Sequence, residues 1–101
     1  MALKRNPEIY ALYCSCENCD DKKPRYVGQS VEGARVRFVK HLSSARQGKP
    51  WAVSRWIRKH GEENIRFEVL KSGVEVSELD DLEQALIQEL GTSIEIGGYN
   101  I

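Results

Sequence analysis

The sequence predicts an α+β domain with a small sheet, on three observations. Two short aromatic runs, Ile9-Tyr10-Ala11-Leu12-Tyr13-Cys14 and Arg25-Tyr26-Val27-Gly28-Gln29, flank one polar segment and read as a β-hairpin. Apolar residues then recur at helical spacing through two stretches, and alternation returns over Ile65, Phe67 and Val69. A final helical pattern completes the order β-β-α-α-β-α. With 101 residues, 41% apolar and 30% charged, the chain is expected to be one soluble domain covering 1–101.

Each element has a local reason. The polar segment from Ser15 to Pro24 joins the first two strands as a long loop, too long for a tight turn. From Gly33 to about Gln47, Phe38, Val39, Leu42 and Ala45 form the expected apolar stripe of a helix. Gly48-Lys49-Pro50 breaks it, and Pro50 suits the first turn of the next helix. That helix carries Trp51, Val53, Trp56 and Ile57 and stops at Gly61. The third strand has Ile65, Phe67 and Val69 on one face and Arg66, Glu68 and Leu70 on the other. Ser77 with Asp80 three residues on resembles a helix N-cap, and the helix runs to Leu90 before Gly91.

A net charge of zero hides a segregation. All 15 Lys and Arg lie at or before Lys71, and seven acids follow it with no basic partner. Between Lys22 and His60 there are eleven basic residues and one acid, Glu32. Such a block is the footprint of a phosphate-backbone binder, with Lys40, Arg46, Lys49, Arg55, Arg58 and Lys59 as candidate DNA contacts. The alternative is a solvated basic face beside an acidic helix. No apolar run reaches the ~20 residues of a membrane helix. Residues Met1 to Asn6 lack the apolar region of a secretory signal. An intracellular, cytoplasmic setting is therefore expected.

Glu83 stands out on the last helix. At about 100° per residue from Leu82, Glu83 falls near 100°, inside the arc of Leu86, Leu79, Leu90 and Ile87. A carboxylate aimed at a core needs a metal, a cation or hydrogen bonds. It reads as a structural ion pair with an Arg, or as a metal ligand or acid/base. Arg37 and His41, four residues apart, flank the stripe of the first helix and can reach a cleft beside the sheet. Arg offers a planar fork for phosphate oxygens, and His a proton donor or acceptor near neutral pH. Tyr10, Tyr13, Tyr26 and Tyr99 are ordinary sheet fillers unless nearby cations lower a phenol pKa. Cys14, Cys16 and Cys19 form C-x-C-x-x-C without an evident fourth ligand. Plain thiols are the favoured reading, with zinc binding and redox chemistry as the alternatives.

Taken in order, Ile9-Tyr10, Tyr26-Val27-Gly28, Arg37 with His41, Glu83 and Asn100 resemble the GIY-YIG nuclease family over nearly the whole chain. Lys59-His60-Gly61 and Gly98-Tyr99-Asn100-Ile101 are similar to the nuclease domain of phage intron homing endonucleases. The first motif departs from the family in reading Glu8-Ile9-Tyr10, without its Gly, and residues 15–24 look like an insertion. The resemblance implies a three-stranded antiparallel sheet flanked by three helices, and metal-dependent hydrolysis of DNA. In that reading Glu83 holds one magnesium or manganese ion, Arg37 stabilises the transition state, and Tyr10 or Tyr26 activates water with His41 as relay. Asn100 hydrogen-bonds within the site. Specificity is expected from an attached or separate DNA-binding domain or from a homodimer partner, and a bacterial or phage origin is expected. A catalytically silent nucleic-acid-binding module on the basic face is the alternative.

Overall fold

The structure, a computed structural model, describes residues 7–15 and 24–91. Three strands, β1 (Glu8–Cys14), β2 (Tyr26–Ser30) and β3 (Ile65–Ser72), form an antiparallel sheet of order β2-β1-β3. Helices α1 (Ala34–Arg46) and α2 (Ala52–His60) lie between β2 and β3 in sequence, and α3 (Leu79–Leu90) follows β3. The expected α+β class and element order are observed. No helix among the described residues is long and apolar enough to cross a membrane.

The unbroken apolar run of the first strand explains its central place, since β1 is buried on both faces. Tyr10, Leu12 and Cys14 join Ala34, Ala45, Val53, Trp56, Ile57 and Ile65 in one core cluster. Ile9 and Ala11 face the other way, with Val27, Leu79 and Ile87. Two helices thus cover one side and α3 the other.

Several details differ from expectation. The core-facing stripe of α1 runs through Ala34, Phe38, His41 and Ala45, while Val39 is 56% exposed. Spacings of four, three and four keep one face of a 3.6-residue helix, and Val39 falls off it. His41 therefore sits inside the stripe rather than beside it. Trp51 is exposed and stands as the N-cap of α2, so Pro50 precedes the helix rather than opening its first turn. In β3 the register against β1 shifts between Ile9 and Tyr10, whose partners are Lys71 and Val69. Leu70 is the extra residue of that bulge, and it packs with the α3 cluster while Val69 is left exposed. Ser77 caps nothing. It lies in a 3-10 turn, Val76–Glu78, that leads into α3. Gly91 does end α3, in the left-handed conformation.

Candidate active site

The site begins with one cross-strand pair. Tyr10 on β1 lies opposite Gly28 on β2. A Cβ at Gly28 would stand 2.5 Å from Tyr10 Cζ and 2.9 Å from Tyr26 Cε1, so only glycine lets both phenols lie over the strand. Tyr10 is fully buried, and its hydroxyl hydrogen-bonds His41 Nε2 at 2.8 Å. The Tyr26 ring meets the His41 ring edge to face at 4.9 Å between centroids, and lies 6.4 Å from Tyr10. Tyr26 and Arg37 both stand close enough to act on the Tyr10 phenol, where burial and Tyr26 raise the pKa and the Arg37 charge lowers it.

Helix α1 is brought to the sheet by a contact that no motif announced. Its N-cap, Gly33, has no side chain, and the Glu8 carboxylate accepts the free Ala34 N–H at 2.8 Å. Glu8 thus ties the first strand to the helix that carries Arg37 and His41.

Across from α1, Glu83 on α3 accepts a hydrogen bond from Gln29 Nε2 on β2. The same amide reaches Asp80 Oδ1, one turn earlier, at 2.7 Å. Gln29 fell within the sequence motif region but carried no signal of its own. Tyr26, Arg37, Lys40, His41 and Glu83 line one cleft of about 620 Å³, together with Ser44 and Gln47 toward the end of α1 and Trp51 at the start of α2. The helical arc that picked out Glu83 therefore leads to a cleft and a hydrogen bond with Gln29, in place of an Arg ion pair.

Electrostatics in this cluster follow burial. Desolvation raises the phenols of both Tyr10 and Tyr26, reinforced at Tyr10 by Tyr26 and at Tyr26 by the Glu83 carboxylate. Burial also raises Glu83, with Asp80 adding to it and the Gln29 hydrogen bond and Arg37 opposing it. His41 is lowered from 6.5 to about 4, first by burial and then by the Arg37 charge. At neutral pH the site therefore holds protonated phenols and a neutral imidazole. A depressed folded-state pKa means the unfolded chain binds the proton more readily. Stability linked to His41 is full above about pH 6.5 and is lost as pH falls toward 4. The difference between the two values corresponds to about 3 kcal/mol. Urea unfolding of wild type and His41→Gln between those pH values measures it: the variant's stability should fall by less, and parallel curves would refute the assignment.

The chain matches no protein-family model, no curated protein and no solved structure.

Its own donor set indicates which metal would suit it. Among the described residues no three His, Cys, Asp or Glu side chains converge as a metal-binding group. Glu83 offers a hard oxygen in the open cleft, and exposed Asp80, on the same Gln29 amide, offers another one turn earlier on α3. That pair fits an ion such as magnesium, which keeps several waters and takes further ligands from a substrate phosphate. It does not fit a closed all-protein cage.

The remaining sequence candidates separate into groups. Lys40 lines the cleft, whereas Lys49, Arg55 and Lys59 are exposed on the surface of α2 and its approach. Arg46 is engaged by Glu62 through two contacts of 2.7 and 3.0 Å. Arg58 donates to the carbonyls of Ala45 and Lys49 at 3.2 and 3.0 Å, so it braces the α1–α2 connection. Asn100 lies outside the described residues, as do Cys16 and Cys19. Cys14 is buried, and its Sγ stands 3.4 Å from His60 Nδ1, a partner that sequence spacing could not identify.

Proposed function

We propose that the chain is a GIY-YIG-type endonuclease that hydrolyses DNA phosphodiester bonds with one divalent cation. The observation that carries this reading is the shared cleft. Tyr26, Arg37, His41 and Glu83 come from β2, α1 and α3 to one wall system, with Tyr10 bonded behind His41. The motif resemblance of the sequence supports the same reading.

Glu83 would hold the cation, magnesium or manganese, which when bound supplies polarisation of the phosphate and stabilisation of the leaving oxygen. Arg37 forks the non-bridging phosphate oxygens and offsets the charge added in the transition state. Tyr26 faces the cleft and orients the attacking water. Tyr10 is fully buried and does not meet the water itself. The water's proton passes through the Tyr26 and Tyr10 hydroxyls to His41 Nε2, which is neutral and able to accept it. The water oxygen forms the new bond to phosphorus as the bond to the leaving oxygen breaks, and that oxygen takes a proton from solvent. A bound phosphate beside His41 favours its cationic form and so raises its low basicity.

The DNA face consists of the cations not already used. Of the six candidate contacts, Lys40, Lys49, Arg55 and Lys59 remain after Arg46 and Arg58 are assigned to Glu62 and the backbone, and Arg37 joins them from the cleft. About four or five phosphate contacts predict a slope of roughly −3 to −5 in log affinity against log salt on duplex DNA. Fluorescence anisotropy with a labelled duplex across a salt series, in chelator, measures it. A flat dependence would identify the basic segment as solvated surface and remove the nucleic-acid reading.

A further inference from the structure

Trp51 is 54% exposed although Trp56, one helical turn on, is buried to 3%. A single exposed apolar side chain is ordinary. Trp51 is different in where it is held. Its carbonyl accepts the Arg55 N–H at 3.0 Å as the N-cap of α2. The preceding connection is braced by Arg58 on the carbonyls of Ala45 and Lys49 and by Lys49 N–H on Ser44 O at 3.2 Å. The indole is thus carried on a fixed backbone, and it lines the same cleft as Arg37, Lys40 and His41. A cleft of about 620 Å³ is the size of a small-molecule site and far exceeds one phosphate group. Ser44 and Gln47 add polar side chains to the lining of the same cleft.

Resting on the nucleic-acid reading above, we propose that Trp51 stacks on an unpaired nucleobase adjacent to the phosphate held by Arg37 and Lys40. The substrate class this cleft accepts is then a strand whose base at the cut site is free of the duplex stack, as in a single strand, a flap, a frayed end or the locally opened stretches of a negatively supercoiled plasmid. In a regular duplex every base face is covered by its neighbours, and the indole has nothing to stack on. Base-on-aromatic stacking tolerates any base, so the contact selects structure rather than sequence.

The test uses the intact chain in chelator, so that no turnover occurs. Tryptophan fluorescence and affinity are measured with a single-stranded oligonucleotide, the matching blunt duplex, a flapped duplex and an abasic strand of equal length. The single strand and the flap should quench the Trp51 emission, with buried Trp56 as the unchanging component, while the abasic strand and the blunt duplex bind without quenching. Trp51→Ala should weaken single-strand binding by about 5- to 100-fold and leave the abasic strand unaffected, and Trp51→Phe should retain most of the affinity. Equal affinity of base-bearing and abasic strands, or unchanged single-strand binding by Trp51→Ala, overturns the stacking role alone. Absence of binding to every strand overturns the nucleic-acid reading and this inference with it.

Discussion

Glu83→Ala should reduce magnesium-dependent cleavage by roughly 10³-fold or more while leaving DNA affinity nearly unchanged. The size of the effect follows from position. Glu83 is the carboxylate that lines the cleft opposite Arg37 and His41, and Asp80, the nearest acid, is exposed and held by the same Gln29 amide. Affinity is expected to survive because the cations of α1 and α2 are untouched. The fold is expected to survive as well. Burial raises the Glu83 pKa, so the charged side chain is not well accommodated and its removal relieves that cost. Loss of its contact leaves Gln29 with Asp80 as acceptor. Single-turnover cleavage, anisotropy and thermal unfolding of the one variant separate these three quantities. Cleavage at the wild-type rate would remove Glu83 from the chemistry, and a large fall in melting temperature would recast it as a structural residue.

Arg37→Lys should lower turnover by roughly 10²-fold, with a much smaller effect on binding. The charge is retained and the planar fork is lost. Arg37 has two tasks that a lysine ammonium fills poorly at once. Its charge acts on the buried Tyr10 phenol, and it lines the cleft where a phosphate would lie. Its charge also helps keep His41 neutral. The same substitution at Arg46 tests the contrast, because that guanidinium is committed to Glu62 on the surface. Arg46→Lys should leave the rate within about twofold, since exposed pairs contribute little. Comparable losses at the two positions would refute a specific role for Arg37.

Much of this arrangement was legible in the residues themselves. The first strand followed from a short aromatic, β-prone run, the hairpin from two such segments about one polar loop, and Gly91 from its place after the last apolar turn. Glu83 was visible because a carboxylate interrupted an otherwise apolar arc. What could not be read were contacts made at long sequence separation. The Glu8 carboxylate caps a helix 26 positions away, and Gln29 reaches Asp80 and Glu83 more than 50 positions on. Neither leaves a periodic trace. Helical angles measured from Phe38 put His41 beside the stripe, whereas its hydrogen bond to Tyr10 lets it be buried among apolar groups. The bulge at Leu70 changed which residues of β3 face the helices, and period-two alternation has no way to anticipate an inserted residue. The basic block likewise revealed its charge but not its commitments. Arg46 and Arg58 look like their neighbours in sequence and are drawn off by Glu62 and by two carbonyls.

The central claim, that this cleft hydrolyses phosphodiester bonds, is tested most directly by incubating the chain with supercoiled plasmid DNA in magnesium, in manganese and in chelator. Nicked or linear product is expected with either cation, none in chelator, and none with Glu83→Ala under any of the three conditions. Plasmid that is bound but left intact at every divalent cation concentration would contradict that claim and identify the chain as a nucleic-acid-binding module without turnover.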